Sequence, residues 1–541
     1  YCTATSLPTS KISQKLSHFI LHLANNKARV LTTSSKILQE NWQSNEPMDP
    51  RTVEETAPLL GAEVITPDPR TLEEREFAKG DPENPLEWPL KFKWLFISIL
   101  FFMGATVTFT CISPVPIAGR IVQDLSNGEK NKYASVLLVT IWELGEAAGP
   151  LLIAPLSETF GRYPVLNVCS VFFTAAAVLA ATAQTTPQFI LSRVLSGLFV
   201  TSNVLGPAIV GDIFEPDMRG SAMSFVMLAP NIGGAVGPAI GGYVADALSW
   251  RWVVWMSVLL CATCQILVLL CFRETYGPAI LARKVHRLRK LSGSPSAESA
   301  VQNNSKSRGP EATLESIIRP FLIFKSSIVL VAISLFGSLT FSHYFNMTTT
   351  LPDILEDVYG LKSSQTGISM LSFSIGSFIG LFICNRSVDR IYVHLTKANG
   401  GVGQPEYRLP LMILAAVLAP FGLLLYGWSA EFGLPLWVFL FSFSSMGMIL
   451  LMAFLPLSAY VVDAFGPYAA SAITGLIVLR CLMGSLLPLS TTPLVENYGL
   501  GRAFSVIALV SAALAPIPVV IMIYGQKLRQ LSKYTRNDPA E

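Results

Sequence analysis

Charge is scarce in this sequence. Asp, Glu, Lys and Arg make up 14% of its 541 residues, against about a quarter in ordinary soluble domains. With 51% hydrophobic residues and a mean hydropathy of +0.49, that shortage excludes a soluble chain of this length and leaves a multispan membrane protein. Histidine is scarcer still, with 5 in all, and no His, Cys or Asp cluster has the spacing of a metal site or an activated nucleophile. An enzyme, a metal and a bound cofactor are therefore not expected. No G-x-x-x-x-G-K-[ST] phosphate loop occurs, which argues against direct ATP hydrolysis. A net charge of +3 offers nothing to nucleic acid. The eight cysteines are scattered, and Cys261 and Cys264, although spaced C-x-x-C, lack a second pair and read as small apolar residues of a span.

What is present is a series of apolar runs of about 20 residues, the length that crosses a bilayer as a helix. They fall near 94–113, 134–156, 165–182, 188–210, 221–244 and 251–272, then near 326–347, 366–385, 410–428, 435–456, 468–490 and 504–524. The expected fold is an all-α membrane protein with twelve transmembrane helices in two six-helix bundles, 94–272 and 326–524, separated by a polar loop, 273–325. Tails at 1–93 and 525–541 flank them. The first tail is polar and acidic and reads as mostly disordered; Met48 is a plausible natural start, which would leave residues 1–47 outside the native protein. Basic residues gather at Lys91 and Lys93, at Arg273 to Lys290 and at Lys527 to Arg536, so both tails and the central loop are expected on the cytoplasmic side. The basic stretch Arg283 to Lys290 reads as an amphipathic anchor on an anionic leaflet. The sequon at Asn346 then falls on the outer side, at the end of span seven, as a glycosylation candidate.

Charged residues inside the runs mark a candidate path, because a charge in the bilayer needs a cavity or a partner. Glu143 and Glu146 lie three apart on one face of span two, and Arg193 lies in span four. Asn203, Asn231, His343 and Tyr344 are further polar points within spans. In span five, Gly233, Gly237 and Gly241 recur every four residues and form a groove without side chains, suited to close helix packing. That groove is expected where the first bundle meets the second, with a bend at Pro238.

These residues fall in recognisable motifs. Gly233, Gly237, Pro238, Gly241 and Gly242 match G-x-x-x-G-P-x-x-G-G, which resembles the antiporter signature of the major facilitator superfamily. Pro155-Leu156-Ser157-Glu158-x-x-Gly161-Arg162 is similar to its loop between spans two and three, with Thr159 in the first basic place and Tyr163 in another. Arg193 to Gly197 matches its R-x-x-polar-G pattern. The stretches from Asp81 to Trp88, Arg273 to Pro278, Pro405 to Pro410 and Tyr460 to Ala472, with Arg480 and Pro488, resemble fungal twelve-span drug:proton antiporters of the polyamine and multidrug branch. The resemblance implies two bundles rocking about a central cavity, and monomeric export of drugs, polyamines or a secondary metabolite against proton entry at a plasma membrane. It places gate charges at Glu158, Arg162, Asp212, Arg219 and Asp463, beside Gly161, with Asp389-Arg390 as the second-half repeat of the loop. Asp212 is expected to pair with Arg162 or Arg219. Proton-coupled nutrient uptake and a transporter-like sensor are the rival readings.

Overall fold

The computed structural model describes residues 77, 81–292, 310–532 and 534–535; residues 1–76 and 78–80 of the tail expected at 1–93, with the start expected at Met48, lie outside them. Among the described residues, twelve helical spans are long and apolar enough to cross a membrane. The first six are α1 (Leu90–Leu125), α2 (Lys132–Phe160), α3 (Arg162–Ala181), α4 (Thr186–Ile213), α5 (Met218–Ala247) and α6 (Trp250–Cys271). The second six are α7 (Ile328–Asp357), α8 (Ser363–Ala398), α9 (Pro410–Glu431), α10 (Leu436–Phe465), α11 (Ala469–Tyr498) and α12 (Leu500–Arg529). Asn131 caps α2 by accepting the Ala134 N–H at 3.0 Å, and Ser327 caps α7 through Leu330 at 3.3 Å. Prolines inside α2, α5, α7, α9, α10 and α11 are tolerated where neighbouring helices re-satisfy the freed carbonyls.

Packing repeats between the halves. In the first, α1 lies on α5, α2 on α4 and α3 on α6; in the second, α7 lies on α11, α8 on α10 and α9 on α12. The halves meet along α2 with α11 and α5 with α8, equivalent pairs in an internal repeat. An even number of spans returns both ends, Leu90 and Arg529, to one face, called here the terminal face; the opposite one is the far face.

Several boundaries differ from expectation. The stretch just before α1, expected within the tail, carries structure: Asn84 caps a 3-10 turn at Pro85–Glu87, and Asp81 and Glu83 reach Lys284 and Arg287. The loop between the halves carries two helices, Gly277–Ser292 and Pro310–Ser326. Span α7 continues past its apolar run to Asp357, which puts Asn346 inside the bundle at 3% exposure. Its amide is out of reach of a glycosyl transfer, so the glycosylation expectation is corrected.

Candidate functional site

Helices α2 and α4 approach at backbone distance, because Gly145 faces the Val194 carbonyl and Gly197 faces that of Trp142, with no room for a Cβ at either. This brings α4 side chains onto the face of α2 that carries Glu143 and Glu146, which are 4% and 7% exposed. Asn203 Nδ2 donates to Glu146 Oε1 at 2.9 Å. The same oxygen lies 3.2 Å from Nη2 of Arg480, on α11 of the other half. The Arg480 guanidinium stands over the rings of Phe341 and Phe454, at 4.3 and 5.7 Å, so cation–π contact and the carboxylate share the stabilisation of its charge. Glu143, one turn away, faces Cys481 and Arg480; its Oε2 meets no hydrogen-bond partner among the described residues. Two carboxylates of one half thus face one guanidinium of the other.

Arg193, anticipated on this path, is engaged elsewhere. Pro114 has no N–H, so the Thr110 carbonyl lacks its helical donor. Arg193 Nη1 supplies one at 2.9 Å, while Nη2 and Nε donate to the Cys111 and Leu138 carbonyls at 2.5 and 3.2 Å. Its guanidinium lies 4.7 Å from the Trp142 ring. It therefore braces α1 and α2 from α4. Asn231 and Tyr344 do come together: they line a cavity of about 90 Å³ between the halves, with Ile112, Pro230, Phe373 and Phe443. His343 is fully buried within α7, and neither ring nitrogen has a partner among the described residues.

On the terminal face, Gly161 takes φ +98 between α2 and α3. Arg162 then donates from Nη1 to Ser157 Oγ at 2.6 Å, pairs through Nε with Asp212 at 3.3 Å and stands over the Tyr276 ring. Arg219 instead donates to the Gly211 and Phe214 carbonyls at the end of α4, so Asp212 belongs to Arg162. Glu158 is exposed and pairs with no described residue. A second carboxylate of the cluster, beside Asp212, is Glu274, beyond α6: its Oε1 accepts the N–H groups of Arg162, Thr275 and Tyr276 at 2.8, 3.2 and 3.1 Å, capping α3, and Oε2 meets Arg283 at 3.3 Å. In the second half, Arg408, just before α9, stands where Arg162 stands before α3. It pairs with Asp389 at 2.5 Å and Asp463 at 2.9 Å. Burial works against this guanidinium, but the bonds from Asp463 and Asp389 hold it above its ordinary pKa. Arg390 is exposed, so the repeat of Arg162 is Arg408 rather than Arg390. Glu406 beside it is buried and takes both Nε and Nη2 of Arg529, at 2.8 and 3.1 Å.

The span-five glycines divide by partner. A Cβ at Gly233, Gly237 or Gly241 would face Ala105, Phe109 or Ser113 of α1, within the same half. Gly242 faces the Ser363 carbonyl of α8, and the Pro238 carbonyl faces Gly367. Of the five motif residues, Gly242 and Pro238 are thus the ones set against the other half, which corrects the expectation for the whole groove. At the same end, Arg120 Nη1 meets Asp246 Oδ1 at 2.6 Å and donates to Ser363 Oγ at 3.1 Å, while Asp246 Oδ2 accepts the Ser364 N–H at 2.8 Å. These contacts close the far face. Arg480, Glu274, Arg408 and Asp246 were missed as site residues, since each takes its meaning from a partner remote in sequence.

The model of the Major Facilitator Superfamily matches residues 94–488. The chain is 32% identical over 455 residues to the MFS transporter cpaT of Aspergillus oryzae, covering 84% of this chain and 91% of that one. It is 31% identical over 483 residues to the efflux pump radE of Floropilus chiversii, covering 88% and 89%. Its fold is similar to a partially occluded inward-open structure of the xylose transporter XylE from E. coli, with a TM-score of 0.58 and 15% identity over 80% of this chain and 98% of that one. Twelve spans in two repeated halves, a charged seam between them and this match over most of the length make the chain a multi-pass transporter of the Major Facilitator Superfamily.

Proposed function

We propose that the protein exports small organic molecules, such as drugs, polyamines or a fungal secondary metabolite, in exchange for protons. The observation that carries this reading is the contact between Glu146 of α2 and Arg480 of α11, with Glu143 beside it. Neutralising Glu146 removes the charge that holds Arg480 to the first half and frees α2 from α11; loss of the proton restores the pair. A proton arriving from one side and leaving on the other thereby biases which face is closed. Substrate occupies the space between the halves, where Asn231, Tyr344 and Phe373 offer polar and aromatic contact. The name of the radE pump and the antiporter-like glycines of α5 support export over uptake. The basic residues of the terminal face support a cytoplasmic position for it, and export from the cell would then run across a plasma membrane.

Inside-out vesicles with an imposed pH gradient test this, using a panel of fluorescent lipophilic cations and polyamines. Substrate should accumulate when the vesicle interior is acidic, and Glu143→Gln or Glu146→Gln should each reduce accumulation about tenfold or more at unchanged expression, as for loss of a proton-transfer group. Accumulation that ignores the gradient would sink antiport; accumulation with an alkaline interior would indicate symport.

A further inference from the structure

We propose that the terminal face carries a binding site for a phosphate-bearing anion, the headgroup of a lipid of the adjoining leaflet, between residues 81–88 and the helix Gly277–Ser292. The segment before α1 folds back over that helix, with Lys284 Nζ 2.5 Å from Asp81 and Arg287 Nη1 3.4 Å from Glu83. Between them lies a cavity of about 320 Å³, lined by Arg273, Arg283, Lys284 and Arg287 against Glu83 and Glu274, with Trp88 at its wall. Volumes of about 300 Å³ and upward hold small ligands. Counting Asp81, four cations face three carboxylates: Lys284 pairs with Asp81, Arg287 with Glu83, and Arg283 with Glu274, whose other oxygen is committed to the main-chain N–H groups of Arg162, Thr275 and Tyr276. Arg273 reaches the Phe92 ring, 5.6 Å from its guanidinium, and no carboxylate within ion-pair distance among the described residues. The lining is therefore short of negative charge. Guanidinium forks suit phosphate oxygens.

The location selects a lipid. Trp88, just before α1, and Phe92, in its first turn, stand at the depth where aromatic rings mark a membrane boundary. A headgroup entering from that boundary reaches Arg273 first and then competes with Asp81 and Glu83 for Lys284 and Arg287. Neither Glu146 nor Arg480 takes part, so this site stands or falls apart from the transport reading.

Native mass spectrometry of the full chain in detergent, titrated with phosphatidylinositol phosphate, phosphatidylserine, phosphatidylcholine and soluble inositol bisphosphate, tests the proposal. Phosphatidylinositol phosphate should be retained over phosphatidylcholine, and retention should weaken with added salt. Arg273→Gln and Arg287→Gln should each lower its affinity roughly fivefold, whereas Glu83→Gln should raise it, because a competing carboxylate is gone. Equal retention of inositol bisphosphate would keep the pocket but assign it to a soluble phosphate. Equal retention of phosphatidylcholine overturns it, as do arginine variants that bind like the parent.

Discussion

A buried guanidinium that stands over two phenylalanine rings and pairs with a carboxylate loses much of its stabilisation when that carboxylate loses its charge. Arg480 is in that position, and the cost of removing either partner of a buried pair is about 3–5 kcal/mol, because the other charge is left stranded. Arg480→Met should therefore lower the thermal stability of the detergent-purified protein substantially. Adding Glu146→Gln should restore most of it, since an uncharged pair of similar shape is close to neutral. The double variant should nevertheless show no gradient-driven accumulation in vesicles. Additive losses of stability, or transport retained by the double variant, would separate the pair from the coupling step. Arg193 makes the contrast: its donors end on the carbonyls of Thr110, Cys111 and Leu138, so its charge supports a helix break.

At the scale of helices, the α5 glycines differ in what a methyl would meet. At Gly241 a Cβ is driven into the Ser113 carbonyl, whereas at Gly237 the nearest atom, Phe109 Cα, lies at 3.4 Å. Backbone cannot yield as a side chain does, and overpacking costs about 1–3 kcal/mol; a glycine in a helix interior gives up about 1 kcal/mol relative to alanine. Gly241→Ala should therefore lower the unfolding temperature and Gly237→Ala should leave it unchanged or raise it, as read by scanning fluorimetry. Equal effects would mean that α1 and α5 are not in this register. The sequence carried the spans, because runs of about 20 apolar residues have few other uses. It did not carry their ends: α7 continues to Asp357 and α1 passes its Pro114 break to Leu125, on residues no longer apolar enough to count. The i, i+3 spacing placed Glu143 and Glu146 on one face, but Arg480, which answers Glu146, lies 334 residues away. Glu158 looked like the acidic partner because it sits within the motif; the Arg162 main-chain N–H is instead taken by Glu274, 112 residues further on, in a stretch whose resemblance did not show what it touches.

Across the whole molecule, the halves are joined at mid-span by Glu146 and Arg480 and at the far face by Asp246, Arg120, Ser363 and Ser364. On the terminal face, the clusters of Arg162 and Arg408 each close within their own half. The structure is therefore the far-face-closed arrangement, and under alternating access the Asp246 contacts exist only there. A contact made in one state shifts the balance by its own free energy. Losing the helix-capping carboxylate, worth about 1 kcal/mol, should raise the far-face-open population about fivefold. Gly242→Ala should act in the same direction, because the added methyl meets the Ser363 carbonyl only when that face is closed; Gly237→Ala, facing α1 alone, is the control. Spin labels at Gln184 and Phe432, exposed on far-face turns of opposite halves, would report this by pulsed electron paramagnetic resonance in a background without the eight native cysteines. Asp246→Ala and Gly242→Ala should move weight to the longer distances and the control should not. If the distribution stays as in the parent for both variants, the far-face contacts are packing without a part in the conformational balance, and the coupling must rest on the pair at mid-span alone.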